Sequence, residues 1–202
     1  MNDTFSSDAA LWTATLARVR RELVELPGAE RAWLAAQIDR VGELQRELDR
    51  LFREAGGPVI CTDCLGGCCS RAKHHVTLTN VLAYLLCGEE PPLPDFSRPC
   101  PFLGAQGCCL PVTHRPFNCI IFLCDSIDRH LTERQRTAFA GIEAELRSVY
   151  HGLAERCPGA SLRGVLIAAA RRGSRPLLRC EQPIKETSWT STSPAPTVPS
   201  TT

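Results

Sequence analysis

The sequence predicts a mainly α-helical protein whose helices enclose an irregular, cysteine-rich segment. Two observations carry this. Apolar residues recur at three- and four-residue steps at both ends of the chain, punctuated by helix-capping signals, and nine cysteines gather in two groups in the loop-rich middle.

The helical pattern begins near Asp8. Leu16, Val19, Leu23 and Leu26 share one face, and Pro27-Gly28 breaks the run. A second helix carries Leu34, Val41, Leu44, Leu48 and Leu51 at near-heptad spacing and ends near Ala55. Two helices joined by a short Pro-Gly turn predict an N-terminal αα-hairpin over residues 1–56, its seam packed on itself or on the core. A coiled coil between chains is the less favoured reading. Gly56-Gly57-Pro58 then punctuates the chain.

Residues 57–130 are expected to be irregular apart from one short helix. That helix has Thr77 or Thr79 as N-cap, runs through NVLAYLLC and ends at Gly88. The stretch GEEPPLPDFSRPCP must be a loop. Over residues 131–180, Thr132 and Gln135 form a capping box that opens a helix to about Arg156, and Ser161 is expected to cap a last helix ending at Gly173. The Ser, Thr and Pro tail, 181–202, reads as disordered.

A chain of 202 residues with 44% hydrophobic and 22% charged residues reads as one soluble globular unit with an extension. A net charge of +1 makes no general case for a nucleic-acid or membrane partner. The arginines between Arg163 and Arg179 read as a solvated helix end rather than an anion site. The N-terminus MNDTFSSDAALW has no basic region followed by an apolar run, and GVLIAAA is far shorter than the about 20 residues that span a bilayer. A cytoplasmic location is therefore expected. Reducing cytosol disfavours disulfides, and the adjacent Cys68 and Cys69 cannot pair with each other without straining the backbone.

Clustered thiols in such a setting point to metal. The first group is Cys61-x2-Cys64-x3-Cys68-Cys69, with Gly66 and Gly67 letting the backbone bend near the sulfurs; the second is Cys100, Cys108, Cys109, Cys119 and Cys124. Thiolates are strong ligands for zinc and for iron–sulfur iron, and either centre usually takes four donors, so the two groups suffice for two sites or for one site with spare thiols. The ferredoxin spacings, the radical-type CxxxCxxC motif, a P-loop and a GxGxxG turn are all absent.

The order CxxCxxxCC, PCPFL, GCCLPVTHRPFNC and a further cysteine resembles the YkgJ-like cysteine-cluster family, described as a zinc- or iron-chelating domain. The resemblance covers Cys61 to Cys124, and its most specific piece is Cys109, five residues, Arg115-Pro116, two residues and Cys119. It implies as metal ligands Cys61, Cys64, Cys68, Cys69, Cys100, Cys109, Cys119 and Cys124, and as cofactor zinc or iron, including a [4Fe–4S] cluster. The sequence departs from the family in having three residues before the double cysteine, in Pro111-Val112 where the family has Ile-Tyr, and in the extra Cys108, which is able to replace Cys109. Related clusters occur in iron–sulfur oxidoreductases and flagellin lysine methylases, so the resemblance implies metal binding more firmly than any reaction. Enzymatic use of the centre, or a structural zinc module whose N-terminal helices dock a protein partner, are the alternatives.

Arg115 has a physical reading of its own. A tetrathiolate centre is anionic, and a guanidinium beside it offsets that charge and donates to sulfur. Cys87 reads as a small buried hydrophobe of an apolar helix, and Cys157 and Cys180 as thiols outside the cluster. His74 and His75 read as exposed polar residues with a metal-donor role as the alternative, His114 as a surface residue or a supporting donor, and Asp125 as solvated surface.

Overall fold

The computed structural model describes residues 3–64, 67–105 and 107–179. The fold is mainly helical, as expected, with eight α-helices and one two-stranded ribbon among the described residues. The helix α1 (Asp3–Glu25) starts five residues before the expected Asp8, and α2 (Gly28–Glu54) follows directly on Pro27. Of the two destinations expected for the α2 seam, the core is realised. Leu34, Ile38, Val41, Leu44, Leu48 and Leu51 are buried, chiefly along α7 (Glu133–Arg156), whose Phe139, Leu146, Tyr150 and Leu153 face them. Each such side chain stabilises the fold by about 1.5–3 kcal/mol through its burial. The seam is therefore covered within the chain.

The partner of α1 is α8 (Val165–Arg172). Trp12 of α1 also packs edge-on against Phe96 at 6.4 Å and against Phe102 at 5.9 Å, holding down the loop that leads into the second cysteine group. Glu22 accepts the backbone N–H groups of Leu177 and Leu178, both at 2.8 Å, which fastens the end of the described chain to α1.

The middle is more ordered locally than the sequence suggests. Gly57-Pro58, expected only as punctuation, opens α3 (Gly57–Asp63); proline suits a first helical turn because its missing N–H has no partner there. A 3-10 turn spans Gly67–Arg71. The expected short helix is α4 (Leu78–Leu86), and Thr77 precedes it, its backbone N–H and hydroxyl both donating to Asn80 Oδ1 at 2.8 Å. The left-handed Gly88, at φ +73°, turns the chain out of α4. Cys87 is consequently exposed at the end of that helix, which corrects the expectation of a buried residue. Strands β1 (Leu103–Gly104) and β2 (Gly107–Cys108) pair antiparallel, and the one-turn helices α5 (Phe117–Ile120) and α6 (Asp125–Asp128) follow.

The Thr132–Gln135 capping box forms as read: Thr132 Oγ1 accepts from the Gln135 backbone N–H, and the Thr132 N–H donates to Gln135 Oε1. Ser161, by contrast, does not cap α8. Its hydroxyl meets the Arg163 N–H at 3.4 Å, and the helix begins four residues later, after Gly164, where the Val165 N–H donates to Val76 O at 2.7 Å. The arginines there cap carbonyls. Arg172 donates to Pro176 O, Arg175 to Arg171 O and Arg172 O, and Arg18 of α1 to Gly173 O. The expected disordered tail and Cys180 lie outside the described residues, and no described helix is long and apolar enough to cross a membrane.

Candidate metal centre

Short elements place the cysteines. Cys61 rides on α3 and Cys64 ends it, its thiol donating to Cys61 O at 3.5 Å; Cys68 and Cys69 lie on the 3-10 turn. Cys100 is buried in the turn before β1. Cys108 pairs across the ribbon with Leu103, and the Cys109 N–H donates to Phe102 O at 2.8 Å. Cys119 lies on α5, its N–H held by Pro116 O, and Cys124 immediately precedes α6.

The thiols fall into two electrostatic neighbourhoods. Burial pushes the Cys61 thiol above its usual range, and Cys64, Cys68 and Cys124 add to the rise. Cys61 and Cys124 also pack together against Ala55, Ile127 and Leu131. In the second neighbourhood the Cys69 thiol is pushed up to about 12 by burial, then by Cys68, Cys100 and Cys108. Cys119 keeps an exposed surface, but protein atoms crowd its sulfur and push its pKa up to about 12, with Cys108, Cys100, Cys69 and Cys68 contributing. Cys100 is raised by burial too, against a lowering contact from the Phe102 N–H. No disulfide links the cysteines from Cys61 to Cys124. Segments distant in sequence thus bring their thiols within mutual electrostatic reach, with Cys68 common to both groups.

Among the described residues, however, no three His, Cys, Asp or Glu side chains stand close enough together to hold a metal ion. The donor chemistry still fits a soft or borderline metal, since thiols and imidazole suit zinc and iron.

Arg115 is seated by its backbone. Its carbonyl accepts from two buried amides, Gln45 Nε2 of α2 at 2.6 Å and Asn80 Nδ2 of α4 at 2.9 Å. The guanidinium donates to Leu110 O at 3.4 Å and lies 3.7 Å from the Asp49 carboxylate. Its ion pair in this structure is therefore with α2.

His75, read as an exposed polar residue, is instead partly buried, with Nδ1 3.4 Å from Cys119 Sγ. Burial, then His74, lowers its pKa. His114 is also partly buried, its ring 4.1 Å from that of Tyr84 and its Nδ1 2.9 Å from Thr113 Oγ1. Asp125 is exposed, as read.

Sequence reasoning passed over Gln45, Asn80 and Gly164. The first two carried a signal, being amides inside apolar helical faces, where polar groups stay only with partners.

No protein-family model, curated protein or solved structure matches the chain. The likeness to the YkgJ-like family rests on the cysteine and Arg-Pro spacing alone.

Proposed function

We propose that the protein binds zinc or iron through its clustered cysteines, with an iron–sulfur cluster favoured, and serves in metal handling or electron transfer. One observation carries the reading: none of the cysteines from Cys61 to Cys124 forms a disulfide, while Cys61 and Cys124 pack against one apolar cluster and Cys119 stands 3.4 Å from His75. Cys61, Cys64, Cys68 and Cys124 are the donors of one neighbourhood, and Cys69, Cys100, Cys109 or Cys108, and Cys119 those of the other. The thiols lose their protons as they bind, and the loops close around the ion, so that binding free energy becomes folding free energy. The metal supplies charge neutralisation and, if it is an iron–sulfur cluster, an electron-transfer centre. Arg115, on the loop between Cys109 and Cys119, is the proposed cation to offset the charge of the centre, although its guanidinium pairs with Asp49 in this structure.

A catalytic reading, with Cys119 as nucleophile and His75 as base, has the contact distance but not the chemistry. A thiol pushed up to about 12 is not an activated nucleophile.

Anaerobic purification of the full chain, with metal and acid-labile sulfide analysis and an absorption spectrum, tests the proposal. Iron with equivalent sulfide and thiolate charge-transfer absorption is the expected result. A colourless protein with stoichiometric zinc replaces the cluster by a zinc centre, and a purified protein without metal that fails to take up zinc or iron overturns the proposal.

A further inference from the structure

We infer that His75 is a metal ligand, giving the neighbourhood around Cys119 a mixed cysteine–histidine donor set. This rests on the metal-binding reading above and adds to it a residue that the cysteine pattern does not supply.

The carrying observation is the distance of 3.4 Å between His75 Nδ1 and Cys119 Sγ. Zinc binds thiolate sulfur at about 2.3 Å and imidazole nitrogen at about 2.0–2.1 Å, which separates the two ligand atoms by about 3.5 Å along a tetrahedral edge. The pair already stands at that separation.

Both residues are held in place by their backbones. The His75 N–H donates to Ala72 O at 3.1 Å, closing the turn that follows Cys68 and Cys69. The next residue, Val76, is bonded to Val165, and Thr77 is fixed by Asn80 at the start of α4. Cys119 is fixed on α5 by its bond to Pro116 O. Side chains so constrained at their roots lose little freedom on taking up an ion. Cys69, Cys100 and Cys108 are the nearby thiols, two of which must close in on the pair to complete a set of four donors. A neutral imidazole in place of one thiolate leaves a zinc centre with a formal charge of about −1 rather than about −2.

A hydrogen bond from imidazole N–H to sulfur is the competing account of the same distance, and the two differ in where the ring proton sits. A ligand Nδ1 is unprotonated with its proton on Nε2, whereas a donor Nδ1 carries the proton itself. Nitrogen-15-labelled full chain, reduced and loaded anaerobically with zinc alone, distinguishes them by long-range proton–nitrogen NMR. The expected result is a His75 ring with a zinc-bound Nδ1 and a protonated Nε2. In titrations with a competing chelator, His75→Ala is expected to weaken one zinc site by more than about 100-fold, beyond what losing a hydrogen-bonding partner of a ligand costs, while His75→Cys restores it. A zinc-loaded protein with a proton on Nδ1 overturns the inference alone. Wild-type protein that takes up no zinc, and no iron in the experiment above, overturns the metal-binding reading and the inference with it. Should His75→Ala fail to fold, the wild-type ring spectrum still decides.

Discussion

Gly164 stands against His74 with no room for a side chain: a Cβ at position 164 would collide with the His74 carbonyl oxygen. This contact and the Val165–Val76 hydrogen bond lay the start of α8 directly on the backbone that carries His75. Gly164→Ala must push the two segments apart. It is expected to destabilise the protein by about 1–3 kcal/mol, the range for overpacked sites, read as a lower urea midpoint. Gly141→Ala is the contrast, because its Cβ would meet nothing within 4 Å and the residue sits inside α7. That change is expected to raise stability by about 0.5–1 kcal/mol, and an equal response of the two variants would refute the account.

Asn80→Ala removes the donor to the Arg115 carbonyl and the acceptor for the Thr77 N–H together. Buried groups left without partners cost about 1–3 kcal/mol each, so thermal unfolding should shift down by several degrees. Gln45→Ala removes the other donor to the same carbonyl. The double variant is expected to lose more than the sum of the singles, because only then is the carbonyl left with no amide partner. Simple additivity in a double-mutant cycle would show that the two amides act independently.

Ligand substitutions should separate from bystanders. Cys69→Ser and Cys119→Ser are expected to lose bound metal and stability together, while Cys87→Ser, exposed at the end of α4, keeps full metal content. Metal analysis of the three purified variants checks this. Full occupancy in both Cys69→Ser and Cys119→Ser would remove these two residues from the ligand set.

Acid should weaken the fold through His114. Burial lowers its pKa, outweighing the raising effects of Glu89 and the Ala83 carbonyl. The unfolded chain therefore binds a proton near the ordinary value of about 6.5, while the native imidazole resists it to lower pH. The stability this contributes is present above about pH 6.5 and is lost as pH falls below it. Unfolding free energies measured between pH 7.5 and 5 should show that slope, and His114→Gln should flatten it in part. An unchanged slope in the variant would count against a buried neutral His114.

The helical frame was legible because its signals are local. The leucine periodicity of α2, the Thr132–Gln135 box and the Thr77 cap each depend on residues within a turn or two of one another. Ser161 misled for a tertiary reason: α8 starts where Gly164 can meet His74, and that requirement lies some 90 residues away in the chain. The cysteine groups were visible as composition and spacing. Their division into neighbourhoods was not, since Cys124 joins Cys61 only through the packing of α6 on α3. His75 was legible as a possible donor only through its place after the first cysteine group, because nothing near it in sequence announces Cys119.

The carbonyl of Arg115 ties the second cysteine loop to two helices at once. Its two amide donors come from 70 and 35 residues upstream, on helices that share no local sequence with the loop they hold. Without α2 and α4 the Arg115 carbonyl loses both amide partners, and the stretch to Cys119 keeps only its local bonds. A peptide of residues 57–130 would lack Gln45, so the cysteine-bearing stretch is not a cassette for grafting onto another scaffold. Its shape is borrowed from the helices around it.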